Sequence, residues 1–400
     1  MLLSAVNIVL FLLSLVLLIP ALFFAIEVLL GLAPKAQPRQ VEGAQDQTKL
    51  KVLIPAHNEE LVIQTTLESL FDASISPDQI LVIADNCSDS TADIVKNAGV
   101  PVVERQNDSL RGKGHALAFG IEELKSDPPD YVLIMDADCT IEPDTPEGLV
   151  NLSQGQHVVQ PNYLIKAQDG ADLSRRLSGF LFKIKNLIRS QALLNFGCSV
   201  PLLGSGMLFP WAIISSTKFA TSNIVEDTKI GLDLQLSGTK ILFAPQFNVF
   251  SYFPDTDAAR ESQSVRWEQG NLQIALEYVP KLTVAAIKKR DYRLALSALH
   301  ILVPPVSLLI LGILGLSVLS LIPYLAKGLS ATLALNFVSL AAISFSILIC
   351  WLSCGRSDIA VTELFIDLPI KTAKKIPHYF RILKFRNLEW VKTDREQSSK

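Results

Sequence analysis

The sequence predicts an α/β domain built on a parallel sheet, together with helices that span a membrane. Two observations lead to this prediction. Short apolar runs typical of strands alternate with helix-like segments between residues 50 and 138, and long uncharged stretches lie near both ends of the chain. The composition agrees, because 49% of the 400 residues are hydrophobic and only 19% are charged. The mean hydropathy of +0.34 is too high for an ordinary soluble enzyme.

Three apolar stretches are predicted to cross the membrane. Residues 1–33 form an N-terminal anchor whose first 26 residues carry no charge, and two further spans lie within residues 298–353. A membrane helix needs about 20 apolar residues, so each stretch is long enough. The first stretch has neither the basic start nor the clear cleavage site of a secretory signal. We therefore expect an anchor that is not cleaved.

The charges that flank these stretches predict their orientation. Lys35 and Arg39 follow the first span, the tail from Lys371 to Lys392 is rich in basic residues, and the segment between the last two spans contains only Lys327. Basic residues favour the cytoplasmic side of a membrane. We therefore expect an integral protein of the cell (inner) membrane, in contact with membrane lipids. Its N-terminus would lie outside, and its central region and tail in the cytoplasm.

The rest of the chain divides into a linker, a central domain and a tail. Residues 34–49 are predicted to be the linker, residues 50–290 the cytoplasmic domain, and residues 354–400 a basic tail at the membrane surface. Within the domain, residues 173–197 mix Leu and Phe with Arg and Lys at helical spacing. This pattern predicts an amphipathic helix on the cytoplasmic membrane face. A helix that packs only on the domain is the alternative.

The order of elements in the central domain predicts a Rossmann-like fold. Strand-like runs end at Ala56, at Asp85, at Arg105 and near Asp136, and helix-like segments lie between them. Parallel sheets of this kind bind ligands at the carboxyl ends of their strands. The first strand is not followed by the GxGxxG fingerprint of dinucleotide sites, and the sequence has no Walker loop. It also lacks a basic stripe with interleaved aromatic residues, so we expect no nucleic-acid partner.

Two aspartates follow the apolar strand in YVLIMDADCT, residues 131–140. Asp136 and Asp138 would point to the same side if the strand continued, because side chains alternate along a strand. Close carboxylates repel each other unless a cation lies between them. Hard oxygen ligands suit Mg²⁺ or Mn²⁺, so the pair predicts a site for one of these ions. A strand end capped by two solvated acids is the alternative.

With this pair in place, the chain resembles glycosyltransferase family 2, whose members are inverting nucleotide-sugar transferases with a GT-A catalytic domain. It is most similar to the membrane-integrated members with a QxxRW motif. The resemblance covers roughly residues 50–275 and rests on motifs in family order. They are VLIPAHNEE at 52–60, IADNCSDST at 83–91, RGKGHAL at 111–117, DAD at 136–138, VED at 225–227 and QSVRW at 263–267. It implies a GT-A, Rossmann-like nucleotide-sugar-binding domain, to which the apolar stretches add three transmembrane helices, one N-terminal and two C-terminal.

The resemblance also implies the roles of individual residues. Asp138, assisted by Asp136, would hold the metal, and Asp227 would be the general base, with its neighbour Glu226 as the alternative carboxylate. Donor and nucleotide contacts are expected from Pro55, His57, Glu59, Asp85, Lys113, Asp136 and Arg266, and acceptor contacts from Gly204, Ser205, Gly206, Gln263 and Trp267. A simple turn is the alternative for the glycines, and buried packing is the alternative for Trp267.

The expected function is therefore inverting, metal-dependent transfer of a sugar from a UDP-sugar to a saccharide or lipid acceptor at the cytoplasmic membrane face. Such a step belongs to the synthesis of a cell-surface polysaccharide or glycolipid. The QxxRW motif is typical of processive members and of some single-transfer relatives. Three spans are fewer than translocating members have, which favours single transfer or a polymerase with an export partner. A degenerate module that binds a nucleotide sugar without transferring it is the alternative.

Overall fold

The structure is a computed structural model that describes residues 2–33, 48–166, 172–220, 225–253, 257–328 and 330–382. It contains two compact units. The helical unit comprises residues 1–35, 171–198 and 271–387, and the sheet unit comprises residues 36–170, 199–270 and 388–400. Parts of the predicted linker and tail, residues 34–47 and 383–400, lie outside the described residues.

The order of helices and strands along the chain agrees broadly with the order that the sequence periodicity predicts. The helices are α1 (Leu2–Gly31), α2 (Ile63–Asp72), α3 (Thr91–Asn97), α4 (Lys113–Glu123), α5 (Thr145–Ser153), α6 (Leu173–Lys183), α7 (Arg189–Asn195), α8 (Trp211–Ile214), α9 (Glu226–Ser237), α10 (Asp257–Lys289), α11 (Tyr292–Leu302), α12 (Val306–Lys327), α13 (Ala331–Cys350), α14 (Leu368–Lys374) and α15 (Ile376–Ile382). The strands are β1 (Leu50–Ala56), β2 (Ile80–Asp85), β3 (Val102–Arg105), β4 (Tyr131–Ile134), β5 (Thr140–Ile141), β6 (Val158–Lys166), β7 (Met207–Pro210) and β8 (Ile241–Tyr252).

The sheet unit contains an eight-stranded mixed sheet in the order β3-β2-β1-β4-β7-β6-β8-β5. The first four strands in this order pair in parallel, as the sequence predicts. The sheet is not parallel throughout, because β7 runs antiparallel to β4, with Met207 opposite Ile134. Antiparallel pairing places the start of one strand beside the end of its neighbour. The loop that precedes β7 therefore lies at the carboxyl end of β4, where a parallel sheet binds its ligands.

The parallel half of the sheet is buried on both faces. Every residue of β2 and β4 is buried, which explains why these strands are continuous apolar runs rather than alternating ones. α4 lies so close to the sheet that a Cβ atom on Gly120 would be 2.6 Å from Leu53 Cδ1. Since α4 follows β3, its first residue, Lys113, lies at the same edge of the sheet as the ends of the parallel strands.

Two local predictions in the sheet unit are wrong. Asn58 is a residue type that favours the N-cap of a helix, and its position after the first strand predicts that role. It does not cap a helix, because α2 begins only at Ile63. Asn58 has a left-handed backbone with φ of 53°, and its Oδ1 accepts a hydrogen bond from Ser88 N–H at 2.7 Å, so it joins two loops instead. The strand before the aspartate pair also ends earlier than predicted, at Ile134, so Asp136 follows in a turn.

The helical unit contains three helices that are long and apolar enough to cross a membrane. They are Leu3–Gly31, Val306–Lys327 and Ala331–Gly355. α1 and α13 are neighbours, and near their N-terminal ends Thr332 Oγ1 donates a hydrogen bond to Asn7 Oδ1 at 3.2 Å. α12 begins directly after Pro304 and Pro305, so these prolines mark its entrance and do not kink it. The chain is a membrane protein.

The segment predicted to be an amphipathic helix is helical throughout, as α6, a π-helical turn over Ile184–Ile188, and α7. Its apolar side chains Leu177 and Phe180 belong to the buried core that also includes residues of α1, α12 and α13. In the same helix, Arg176 pairs with Glu363 and Lys183 Nζ lies 2.5 Å from Asp358 Oδ2. The helix is thus held both by apolar burial and by ion pairs.

A buried ionic cluster joins α1, α7 and α11. Glu27, near the end of α1, is fully buried, and its Oε2 accepts a hydrogen bond from Arg189 Nε at 2.6 Å. The other carboxylate oxygen contacts His300 Nδ1, and Arg189 Nη2 donates to His300 O at 2.9 Å. A charge in an apolar environment is tolerated only when it is paired in this way. The cluster therefore fixes the end of the first membrane helix against α7 and α11.

Replacing Glu27 by Gln is expected to destabilise the protein by roughly 3 to 5 kcal/mol, because it leaves the buried Arg189 guanidinium without its countercharge. The melting temperature of the purified protein in detergent measures the effect. Glu277→Gln is the matched control, since Glu277 forms a 2.7 Å pair with Lys281 in which both side chains are about half exposed. Equal melting temperatures for Glu27→Gln and the control would contradict the role of the cluster.

Candidate active site

The aspartate pair lies in the turn that follows β4. Cys139 N–H donates a hydrogen bond to Asp136 O at 3.2 Å, which closes the turn. Thr66 of α2, itself buried, donates its hydroxyl to Ala137 O at 2.8 Å. The sequence predicts that both aspartates point to one side of a continuing strand. In the structure a turn, and not a strand, brings their side chains together. One ligand atom from each of Asp136, Asp138 and Cys139 lies within 4.8 Å of the others.

Lys113, the first residue of α4, lies against this turn. Its Nζ is 2.5 Å from Asp136 Oδ1 and donates a hydrogen bond to Gly204 O at 2.7 Å. Burial by itself would lower the pKa of Lys113, but the carboxylates of Asp136, Glu226 and Asp227 outweigh it and raise the pKa well above its usual value. The ammonium group is therefore permanently charged among these acids.

The loop before β7 contains the glycines that are predicted to contact the acceptor. It lies beside Lys113 and the aspartate turn. Gly204 has φ of +95°, a conformation that L side chains rarely adopt. A Cβ atom on Gly204 would lie 3.1 Å from Asp227 Oδ2, 3.6 Å from Lys113 Nζ and 3.9 Å from Asp136 Oδ2. Only a residue without a side chain fits between these charged groups. The structure thus brings together four residues that are far apart in the sequence.

Glu226 and Asp227 are the first two residues of α9, which ends at Gly238 as predicted. Asp227 Oδ1 accepts a hydrogen bond from Thr228 N–H at 2.7 Å, and the N-terminal end of the helix favours an ionised carboxylate there. Glu226 is buried, and this burial, opposed by Lys113 and reinforced by Asp227, raises the pKa of Glu226 to about 8. At neutral pH the carboxyl group of Glu226 is therefore largely protonated.

The residues of the aspartate turn suit a divalent cation. The two carboxylates supply hard oxygen ligands, and Ser251 Oγ lies 3.5 Å from Asp138 Oδ2. Burial, reinforced by Asp138 and Asp136, raises the pKa of the Cys139 thiol well above its usual value, so this side chain stays a neutral thiol. Mg²⁺ and Mn²⁺ prefer oxygen ligands and complete their shell with water and phosphate. Asp138 and Asp136 are thus the residues that could hold such an ion.

The residues predicted to contact the nucleotide lie at the carboxyl ends of β1 and β2. Pro55 pairs with Ile83 in the register of these strands, and His57 Nδ1 is 2.6 Å from Asp85 O. Glu59 N–H donates a hydrogen bond to Thr91 Oγ1 at 2.8 Å.

The carboxylate of Asp85 is almost fully buried and forms an ion pair with Arg105, the last residue of β3. Arg105 in turn donates a hydrogen bond to Leu110 O at 2.8 Å. The second-strand aspartate is therefore held by a cation from the next strand.

The QxxRW residues lie on α10 and are half-buried. Burial lowers the pKa of Arg266 from its usual value. One turn further along, a Cβ atom on Gly270 would be 2.8 Å from Val225 Cγ1, so α10 packs closely against the residue before α9. Arg266 and Gly270 share a helix face, because residues four apart in a helix do so. Gln263 and Trp267 lie on the same stretch of helix.

Several residues of the site were not found by sequence reasoning. They are Thr66, Arg105, Gln160 and Ser251. Each is a buried polar residue in a segment that is otherwise apolar or carries no recognised motif. Such residues normally have a defined hydrogen-bond partner. That is the one signal that could have pointed to them, as in VVQPNYLIK of β6, where Gln160 follows two valines. Each of them also has a partner at least 20 residues away, such as Ala137 for Thr66 and Leu203 for Gln160, and these partners were not predictable.

Comparisons with known proteins identify the family and the fold. The family profile described as "Glycosyltransferase like family 2" matches residues 47–270, which is more than half of the chain. A mannosyltransferase, PcManGT from Pyrobaculum calidifontis, solved in complex with GDP-Man and Mn²⁺, has a similar structure with a TM-score of 0.54. The match covers 89% of this chain and 99% of that one, at 16% sequence identity. At this identity the similarity shows the fold alone.

Curated relatives have similar sequences over part of their length. Poly-beta-1,6-N-acetyl-D-glucosamine synthases from Staphylococcus epidermidis and Staphylococcus aureus are 28% identical over 260 and 238 residues, or 62% and 56% of this chain. The probable glycosyltransferase YdaM of Bacillus subtilis is 26% identical over 275 residues, or 60% of this chain. The matches span 58%, 55% and 60% of those relatives. The predicted GT-A fold is confirmed, and the extent of the family match shows that the chain belongs to glycosyltransferase family 2.

Proposed function

We propose that the protein is an inverting, metal-dependent glycosyltransferase that moves a sugar from a UDP-sugar to a saccharide or lipid acceptor. One observation carries the proposal. Lys113, Asp136 and Asp227 meet around Gly204, where a side chain would fill the space between them. Transfer of a sugar from a nucleoside diphosphate needs three such groups: a cation, an acid that binds the metal, and a base.

The proposed reaction is a direct displacement at the anomeric carbon. The bond from this carbon to the diphosphate oxygen breaks, a bond to the acceptor oxygen forms on the opposite face, and the acceptor proton passes to Asp227. The ammonium group of Lys113 and the guanidinium group of Arg266 stabilise the negative charge on the leaving diphosphate. A bound Mg²⁺ or Mn²⁺ would be held by Asp138 and Asp136 and would neutralise part of this charge.

Asp227 suits the role of base better than its neighbour Glu226. A base must be ionised at the working pH, and a carboxyl group with a pKa near 8 is largely protonated at neutral pH. Asp227 has the Thr228 N–H bond and the helix N-terminus to favour its ionised form, and its Oδ2 faces Gly204. Glu226 is then a neutral side chain, and this limits the repulsion among the carboxyl groups that surround Lys113.

Further parts of the proposal concern the substrates and the membrane. The names of the curated relatives make UDP-N-acetylglucosamine the first donor to assay. We place the active site on the cytoplasmic face of the cell (inner) membrane, with the N-terminus outside, because of the basic residues that follow the first span. Contacts of the donor with Pro55 and His57, and of the acceptor with Gln263 and Trp267, belong to the same proposal. The proposal also includes the domain limits 50–290 and 298–353, and a partner for export or polymerisation.

Asp227→Asn is expected to lower the transfer rate roughly 100- to 10,000-fold, because the amide cannot take the acceptor proton. UDP binding, measured by calorimetry on the same preparation, should stay at the wild-type level. The matched control is Asp233→Asn, which removes a half-exposed acid from the same helix and should leave transfer unchanged. Wild-type transfer by Asp227→Asn would disprove the base assignment. If neither the wild type nor any variant binds or transfers a UDP-sugar, the result would favour a different class of protein.

Chelation of divalent ions by EDTA is expected to abolish transfer, and added Mg²⁺ or Mn²⁺ to restore it, because the diphosphate leaves with a growing negative charge. Asp138→Asn should weaken binding of Mn²⁺, measured by electron paramagnetic resonance in the presence of UDP. Asp127→Asn is the control, since Asp127 is a well-exposed acid paired with Lys49. Transfer that is indifferent to EDTA would remove the assigned role of Asp138.

The thermal stability of the wild type is expected to fall, relative to Glu226→Gln, as the pH rises from about 4.5 to about 8. Folding favours the protonated form of Glu226, because its pKa is higher in the folded than in the unfolded state, and this stabilisation is lost as the pH passes the folded value. Melting temperatures of both proteins across this range test the expectation. Parallel pH profiles for the two proteins would show that folding does not raise the pKa of Glu226.

A further inference from the structure

A buried glutamine lies behind the active-site loop. Gln160 in β6 has no exposed surface. Its Oε1 accepts a hydrogen bond from Leu203 N–H at 2.9 Å, and its Nε2 donates to Ser205 O at 3.2 Å and to Pro161 O at 3.0 Å. One side chain thus bonds both sides of Gly204 through the backbone. A buried amide is costly unless its hydrogen bonds are made, and here both ends of the amide have partners.

The loop held by Gln160 is also the loop that joins the catalytic groups. Gly204 O accepts the hydrogen bond from Lys113, and Ser205 Oγ accepts one from Asp136 N–H at 3.0 Å. Gly204 also faces Asp227 Oδ2. A displacement of this loop would therefore move the cation, the backbone of a metal-binding acid and the space beside the base together.

The backbone of this loop needs to be held. Gly204 and Gly206 both have positive φ values, of 95° and 73°. Gly206 is confined by Pro161 and Val249, since a Cβ atom there would lie 2.7 Å from one and 2.6 Å from the other. Between these two glycines the chain has much conformational freedom in principle, because glycine restricts the backbone least. The two hydrogen bonds from Gln160 to Leu203 N–H and Ser205 O select one of the available conformations.

We propose that Gln160 is a positioning residue, which fixes the Leu203–Gly206 loop and through it Lys113 and Asp136 in the geometry that sugar transfer requires. This inference rests on the proposed function of the same site. Gln160 acts through the loop and touches none of the reacting groups. Its replacement should therefore affect the chemical step more than the binding of the nucleotide, because several of the predicted nucleotide contacts lie at the ends of β1 and β2 and do not involve the loop.

Gln160→Met tests the proposal, because methionine has a similar length and volume but makes none of the three hydrogen bonds. The expected result is a roughly 10- to 100-fold loss of kcat, as small misplacements of catalytic groups produce, with a smaller loss of affinity for UDP. Amide hydrogen exchange, which does not depend on activity, should rise in peptides that contain residues 203–206 and stay at wild-type levels in β1 and β2. Gln191→Met is the matched control, because Gln191 is an equally buried glutamine of the helical unit that bonds Asn195.

The outcomes separate this inference from the proposed function. Absence of transfer by the wild type from any UDP-sugar would overturn the proposed function. Wild-type kcat in Gln160→Met, or wild-type exchange protection of its loop, would overturn the inference about Gln160. Equal losses of kcat in Gln160→Met and Gln191→Met would do so as well. If Gln160→Met does not fold, Gln160→Glu retains the acceptor oxygen for Leu203 N–H, and the same measurements decide.

Discussion

Lys113 lies among Asp136, Glu226 and Asp227, three carboxyl groups that would repel one another without a cation between them. The groups come from three places, α4, the turn after β4 and the start of α9. Their convergence in a buried site is stable only because the charges compensate and one of the acids is largely protonated. The rest of the sheet unit can be understood as the support that delivers these segments to one point.

That support depends on the mixed topology of the sheet. A wholly parallel sheet would place only strand ends at the ligand edge, whereas the antiparallel β7 also brings the start of a strand there. The loop before β7 then enters the space between Lys113 and Asp227. It has to pass without side chains, which explains a glycine at position 204. It also has to be held from behind, where β6 provides Gln160.

The helical unit follows the same physical rule in an apolar setting. Glu27 is buried at the end of a helix that is otherwise apolar, and Arg189 and His300 surround it. The backbone of α1 approaches α7 closely in the same region, since a Cβ atom on Gly31 would overlap Ile188 O. In both units a buried charge is placed where several segments must meet, and its countercharges come from other elements of the chain.

The sequence by itself determined the elements and much of the chemistry of this protein. Apolar runs and periodicity predicted the strands, the three long helices and the helix that ends at Gly238, because those signals are local. The tertiary structure decided the order of the strands, the turn after Ile134 and the loop conformation of Asn58. It also decided the roles of Gln160 and Arg105, whose hydrogen-bond partners come from other segments of the chain. A buried polar group is recognisable in a sequence, but its partner depends on which strands become neighbours, and no local pattern encodes that.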